Sequence, residues 1–156
     1  MTFNVAIDLG YSFKVKAGAL EVFGVLSHVP TSASFFPEVD RLLDLGDNTY
    51  RWEMAKIGIG SIKLQTIYAS KYTADPDKGR VVWTPVKGIG NAQVSGHWKI
   101  SQHKDATHVV LSVKGELEIP LPSLMRLIVA PLVESEFEKL TDKYIDNLIQ
   151  RFGGEA

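Results

Sequence analysis

From residue 2 to residue 16 the chain alternates, with Phe3, Val5, Ile7, Leu9, Tyr11, Phe13 and Val15 on one parity and Thr2, Asn4, Ala6, Asp8, Gly10, Ser12, Lys14 and Lys16 on the other. A period of two belongs to a strand, whose successive side chains point to opposite faces. Such a strand would be long, so Gly10 is expected as a bend or break. Ala19 to Val29 then carries Leu20, Phe23, Val25, Leu26 and Val29 near helical spacing, and Pro30 is expected to stop this helix. A second short helical turn is expected over Thr31 to Phe36, ending at Pro37.

From Val39 onward strands and turns succeed one another: Val39 to Leu45, Tyr50 to Ile57, Ile62 to Thr73, Val81 to Val86, Asn91 to Ser101 and Thr107 to Ile119. The intervening turns are rich in Gly, Asn, Asp and Pro, the residues that reach tight-turn dihedrals at low cost. Six consecutive strands with short turns make an antiparallel meander. In the last one Val109, Leu111, Val113, Leu117 and Ile119 share a parity while His108, Ser112, Lys114, Glu116 and Glu118 take the other, so one face needs a cover. Val133, Phe137, Leu140, Tyr144, Leu148 and Phe152, three or four residues apart, supply it as one long C-terminal helix. Pro131 either opens that helix in its first turn or interrupts a longer one beginning near Ser123.

The 156 residues fit one domain, and 17 Lys and Arg against 18 Asp and Glu give a net charge of −1. No basic excess exists to drive phosphate binding, so nucleic acid is not an expected partner. Hydrophobic residues at 45% and charged residues at 22% are those of a globular chain, and the absence of cysteine removes thiolate chemistry and fits a reducing, cytoplasmic setting. Met1 to Asp8 has no basic segment or apolar run of signal-peptide type, and the longest apolar stretch, Leu127 to Val133, is too short for a transmembrane segment.

Candidate chemistry is sparse. Gly58-Ile59-Gly60 and Gly88-Ile89-Gly90 lack the third glycine and the following helix of a dinucleotide loop, so both are expected to be turns and no cofactor is called for. His97, His103 and His108 would form a metal site only in a favourable hairpin register, and Asp75-Pro76-Asp77 is explained by a turn. For acid–base chemistry Tyr68, Tyr144, Arg126, Glu53 and His28 are available, but no spacing demands that they meet.

The element order and several local runs together resemble the START-type superfamily, which includes bacterial polyketide cyclase/dehydrase and lipid-transport-like proteins and the major birch-pollen allergen. The runs are Ser27-His28-Val29-Pro30, Phe35-Phe36-Pro37, Tyr50-Arg51-Trp52, Val82-Trp83-Thr84-Pro85, Gly88-Ile89-Gly90-Asn91, Gly96-His97-Trp98 and Ile119-Pro120-Leu121-Pro122. These are fold markers, not catalytic signatures. The resemblance implies an α+β helix-grip fold, with a curved antiparallel sheet of about seven strands wrapped around the C-terminal helix and two short helices after the first strand. It also implies a ligand-sized cavity. By parity, its expected lining is Trp52, Met54, Leu64, Tyr68, Trp83, Val94, Trp98, Val113 and Leu117 from the sheet, with Val133, Phe137 and Tyr144 from the helix. The same residues would equally serve a filled core, and Gly96 and Gly115 could leave room or merely allow bending. Entry is expected at Thr31 to Phe36, Gly58 to Gly60 and Lys87 to Asn91. The expected function is binding of a hydrophobic small molecule, a lipid or polyketide-like compound, for carriage or sequestration. A cyclase/dehydratase using the same cavity and a ligand-free interaction module are the alternatives.

Overall fold

The computed structural model describes residues 2–59 and 61–156. Strand β1 (Phe3–Val15) leads into helices α1 (Ala19–Ser27) and α2 (Val29–Ala33). Strands β2 (Val39–Gly46), β3 (Thr49–Met54), β4 (Ile57–Ile59), β5 (Ile62–Leu64), β6 (Ile67–Asp75), β7 (Arg80–Pro85), β8 (Ala92–His103) and β9 (Ala106–Ile119) follow. A single 3-10 turn, Ser123–Met125, precedes helix α3 (Arg126–Arg151). Seven strands form one antiparallel sheet in the order β1-β9-β8-β7-β6-β3-β2, and among the described residues β4 and β5 pair only with each other. The result is the expected α+β helix-grip architecture.

Several boundaries depart from the sequence reading. β1 is unbroken: its register runs from Phe3 opposite Ile119 to Val15 opposite Thr107, and Gly10 sits opposite Ser112 without a bulge. The helix expected to reach Val29 ends at Ser27, because His28 is extended (φ −95°, ψ 99°), and Pro30 lies in the first turn of α2, where its missing N–H leaves no bond unmade. The long strands expected over 50–57 and 62–73 each divide. Met54 N–H donates to the Thr66 carbonyl at 3.0 Å and Gln65 Nε2 to the Met54 carbonyl at 2.9 Å, closing the main sheet at that point. Beyond it the chain leaves as the β4–β5 hairpin; Gly60, expected in a turn there, lies outside the described residues.

α3 takes the longer of the two forms left open by Pro131, which falls inside it. The bond Pro131 cannot donate would have gone to the Leu127 carbonyl, and Leu127 is 87% exposed, so water can take its place. The 26 residues of α3 span about 39 Å, enough to cross the sheet. Val129, Val133, Thr141, Tyr144, Ile145 and Leu148 are its buried positions. No described helix is long and apolar enough to cross a membrane.

The buried side chains form three groups. One gathers Val22, Leu26, Trp98, Leu111, Leu148 and Phe152; a second Phe3, Val5, Leu117, Ile119, Val129 and Val133; a third Val29, Ala33, Trp52 and Met54. Packing is therefore discontinuous across the layer between sheet and helix.

Candidate functional site

Members of all three groups border a cavity of about 110 Å³ between the inner face of the sheet and α3. Alternation along each strand delivers the sheet's share. Trp52 and Met54 come from β3, Tyr68 and Tyr72 from β6, Trp83 from β7, Val94 and Trp98 from β8, and Val113, Gly115 and Leu117 from β9. Phe137, Thr141 and Tyr144 project from α3, and Val29, Ser32 and Phe36 from α2 and the segment after it.

The aromatic rings are mutually supported. Trp52 and Tyr68, paired across β3 and β6, stack with centroids 5.8 Å apart and planes at 9°. Tyr144 lies between Phe36, at 5.0 Å, and Trp98, at 6.1 Å. Such arrangements fix ring positions beyond what area burial alone would do. Gly96 has a different role from the one its position suggested. A Cβ there would stand 2.6 Å from the Trp83 ring and 2.4 Å from the Ser112 carbonyl oxygen, so Gly96 admits the Trp83 indole rather than leaving space. At Gly115 a Cβ would make only ordinary contacts of 3.6 to 3.8 Å with Gln93, Val94 and Ile7, and its missing side chain does leave volume in the cavity.

Most polar groups on the wall are satisfied internally. Trp52 Nε1 donates to the Tyr72 hydroxyl at 3.0 Å, Thr141 Oγ1 to the Phe137 carbonyl at 2.8 Å, and the Ser32 and Tyr144 hydroxyls bond to each other. Burial raises the pKa values of Tyr68, Tyr72 and Tyr144 well above the usual phenol range, with the neighbouring phenols adding to the effect at Tyr68. All three stay neutral at physiological pH. No Asp, Glu, Lys, Arg or His is among the described lining residues.

A second, outer pocket of about 150 Å³ adjoins the first and shares Thr66, Leu117 and Phe137 with it. Ile57, Lys63 and Leu64 of the β4–β5 hairpin border it on one side and Val133 on the other. Two expected lining residues belong here and not to the inner cavity: Leu64 follows the hairpin out of the main sheet, and Val133 packs with Phe3, Val5 and Val129. The other ten, Trp52, Met54, Tyr68, Trp83, Val94, Trp98, Val113, Leu117, Phe137 and Tyr144, all border the inner cavity.

Of the residues considered for acid–base work Tyr68 and Tyr144 border the cavity, and the other three do not join them. Glu53 lies outside the cavity wall and pairs with Arg51 at 3.0 Å; exposed Arg126 donates to the Asn4 carbonyl at 2.8 Å; exposed His28 bonds Thr31 at 2.6 Å. His108 bonds Ser12 and His103 bonds Ser101, and no group of three His, Cys, Asp or Glu among the described residues is placed to hold a metal. Asp75 Oδ1 accepts the backbone N–H groups of Asp77 and Lys78, as a turn requires. The Lys87 to Asn91 loop, expected to gate entry, is pinned by Asn91, whose side chain accepts from Ile67 N–H at 2.9 Å and donates to the Gln65 carbonyl at 2.7 Å.

Sequence reasoning missed Tyr72 and Thr141 as lining residues, together with Ile7, Leu9, Leu26, Val29 and Leu111, and placed Ser32 and Phe36 only within the expected entry segment. Tyr72 was accessible by parity, sharing the Tyr68 face two rungs along β6. Ser32 was not, since its partner Tyr144 is 112 residues away.

No family model matches the chain, and no curated protein matches it by sequence. Solved structures do. A START superfamily protein from Mycobacterium smegmatis aligns over 94% of this chain and 97% of its own, with a TM-score of 0.64 at 15% identity. An aromatase/cyclase from Streptomyces covers 93% and 90% with a TM-score of 0.60 at 14% identity. Norcoclaurine synthase from Thalictrum flavum covers 94% and 88% with a TM-score of 0.57 at 16% identity. Near-complete coverage at such low identity is agreement of architecture, and with the strand order and the enclosing helix it establishes that this chain has the START-type helix-grip fold.

Proposed function

We propose that the chain, acting as one ligand-binding domain, takes up an uncharged hydrophobic small molecule beneath α3 and carries or sequesters it in the cytoplasm without transforming it. The observation that carries this reading is the wall itself: apolar and aromatic on nearly every side, with neutral phenols and hydroxyls as its polar groups. Concave apolar volume with a few placed polar groups is what small-molecule sites have in common. The inner cavity alone is of a size for about one benzene-like ring. A larger lipid or polyketide-like ligand would also occupy the outer pocket, past Phe137.

A cyclase, the activity named for the Streptomyces neighbour, or a dehydratase would need a group that exchanges a proton near neutral pH. The buried phenols are held protonated, and Glu53, Arg126 and His28 are engaged elsewhere. Binding without chemistry is the better-supported reading.

The test is titration with the neutral fluorophore N-phenyl-1-naphthylamine, in the parent and in Gly115→Leu. The first added carbon fits at Gly115 and the remainder enters the cavity. Fluorescence enhancement in the parent and its loss in a variant that still melts cooperatively is the expected result. Equal probe affinity in both proteins would place the probe elsewhere and remove the basis for this function.

A further inference from the structure

Two hydroxyls on the cavity wall stand apart from the rest. Those of Ser32, Tyr72 and Tyr144 and the hydroxyl of Thr141 all have protein partners. The hydroxyls of Tyr68 and Thr66 have none among the described residues, although every fully sealed side-chain polar atom described has one. Both must therefore keep an open face. For Tyr68 that face is the cavity, since the side chain lies deep in the protein yet retains accessible surface. Thr66 is buried and borders both the cavity and the outer pocket, so its position marks the junction between them.

Thr66 lies in the short link between β5 and β6, Tyr68 is the second residue of β6, and both border the inner cavity. Their positions are rigidly held. Tyr68 is stacked on Trp52, and the Thr66 carbonyl accepts from Met54 N–H at 3.0 Å. Neither oxygen is sealed off, so water can satisfy both in the absence of ligand; a ligand that displaces that water without replacing its bonds loses affinity, and a pair of such hydroxyls on an otherwise satisfied wall points to a ligand that supplies those bonds.

We infer that the Tyr68 and Thr66 hydroxyls select an uncharged ring compound bearing an oxygen acceptor, a carbonyl or hydroxyl, at the junction of the two pockets. The inference rests on the ligand-binding function proposed above and specifies its substrate class. An anion is disfavoured on the inner side of that junction: no cation is among the described residues lining the inner cavity, where Tyr72 and Tyr144 also resist ionisation, and Lys63 borders only the outer pocket, where Glu118 lies as well. Among uncharged ligands, a purely hydrocarbon one would leave both hydroxyls unpaired. Discrimination therefore comes from the unmade bonds, a stronger selector than fit in an apolar pocket.

The experiment uses an isosteric pair sized for the inner cavity, acetophenone and α-methylstyrene, which differ by a carbonyl oxygen in place of a methylene. Each is titrated by displacement of N-phenyl-1-naphthylamine from the parent, from Tyr68→Phe and from Thr66→Val. Tyr68→Phe removes one oxygen and no packing, and is expected to weaken acetophenone about fivefold to tenfold, the range of one neutral hydrogen bond, while leaving α-methylstyrene within about twofold. Thr66→Val, a second conservative change, is expected to act in the same direction. If both ligands bind the parent and neither variant alters their affinity ratio, the hydroxyl pair is not the selector and this inference falls while the binding function stands. If neither the fluorophore nor the pair binds the parent, both fall.

Discussion

Phe137 separates two empty spaces, and its truncation distinguishes a cavity wall from a packed core. The side chain is half-buried, with the inner cavity on one side and the outer pocket on the other. Replacing a fully packed Phe with Ala costs about 3 to 5 kcal/mol, part of it lost transfer energy and part the void created. At Phe137 both contributions shrink: only part of the ring has left water, and the neighbouring voids already exist. Scaling the burial gain of a Phe side chain by its partial burial gives about 1 to 2 kcal/mol for Phe137→Ala. Phe152, 1% exposed and packed among Val22, Trp98 and Leu148, is the internal control, and Phe152→Ala is expected to cost the full core amount. Urea denaturation of the two variants and the parent gives the comparison directly. Phe137→Ala should also join the two spaces, of about 110 and 150 Å³, and raise affinity for probes too large for either. Equal destabilisation by both substitutions, with no change in probe selectivity, would mean that Phe137 is ordinary core and that the partition described here has no energetic reality.

Two further expectations follow from the same wall. Gly96→Ala forces a carbon against Trp83 and the Ser112 carbonyl and is expected to destabilise by about 1 to 3 kcal/mol, with a shift in tryptophan emission as the indole moves; an unchanged midpoint and spectrum would show that the contact relaxes freely. The stability of the fold is expected to fall as pH rises above about 10. There the unfolded chain ionises its tyrosines while Tyr68, Tyr72 and Tyr144 stay protonated, a loss of about 1.4 kcal/mol per pH unit for each until its folded-state pKa is reached. Denaturation midpoints at pH 8 to 11 on the parent and on Tyr72→Phe, whose slope should be shallower by one group, measure it.

The parts of this structure that were legible from sequence are those governed by short-range periodicity. Alternation from Phe3 to Val15 and from Val109 to Ile119 placed the two longest-paired strands and their buried faces, and the stripe on α3 identified Phe137 and Tyr144 as facing the sheet. Turns rich in glycine and aspartate fell where expected at residues 46–48 and 75–79. The breaks themselves, at Ala55-Lys56 and Gln65-Thr66, carry no glycine, proline or asparagine; they arise with bonds between Met54 and residues 65 and 66, a tertiary event. Gly10 misled because a glycine permits a break without requiring one, and β9 supplies an uninterrupted partner. The site was legible as a set of inward faces. Which hydroxyls find partners depended on segments more than a hundred residues apart, as with Ser32 and Tyr144, and no local pattern encodes that.

The pairing of β1 with β9 also sets the order in which this protein can be made. Thirteen register pairs join residues 3–15 to residues 107–119, while the meander from β6 to β9 is built from neighbours in sequence. On a ribosome, the strand carrying Phe3, Val5 and Ile7 emerges long before β9 and must wait for almost the entire sheet to be synthesised before its partner exists. Until then its apolar face is open to other chains, and closing so distant a contact makes the final step slow. A nascent chain halted after β8 would present the same exposed strand indefinitely, which makes the stretch from Phe3 to Val15 the segment that a holding chaperone has most reason to grip.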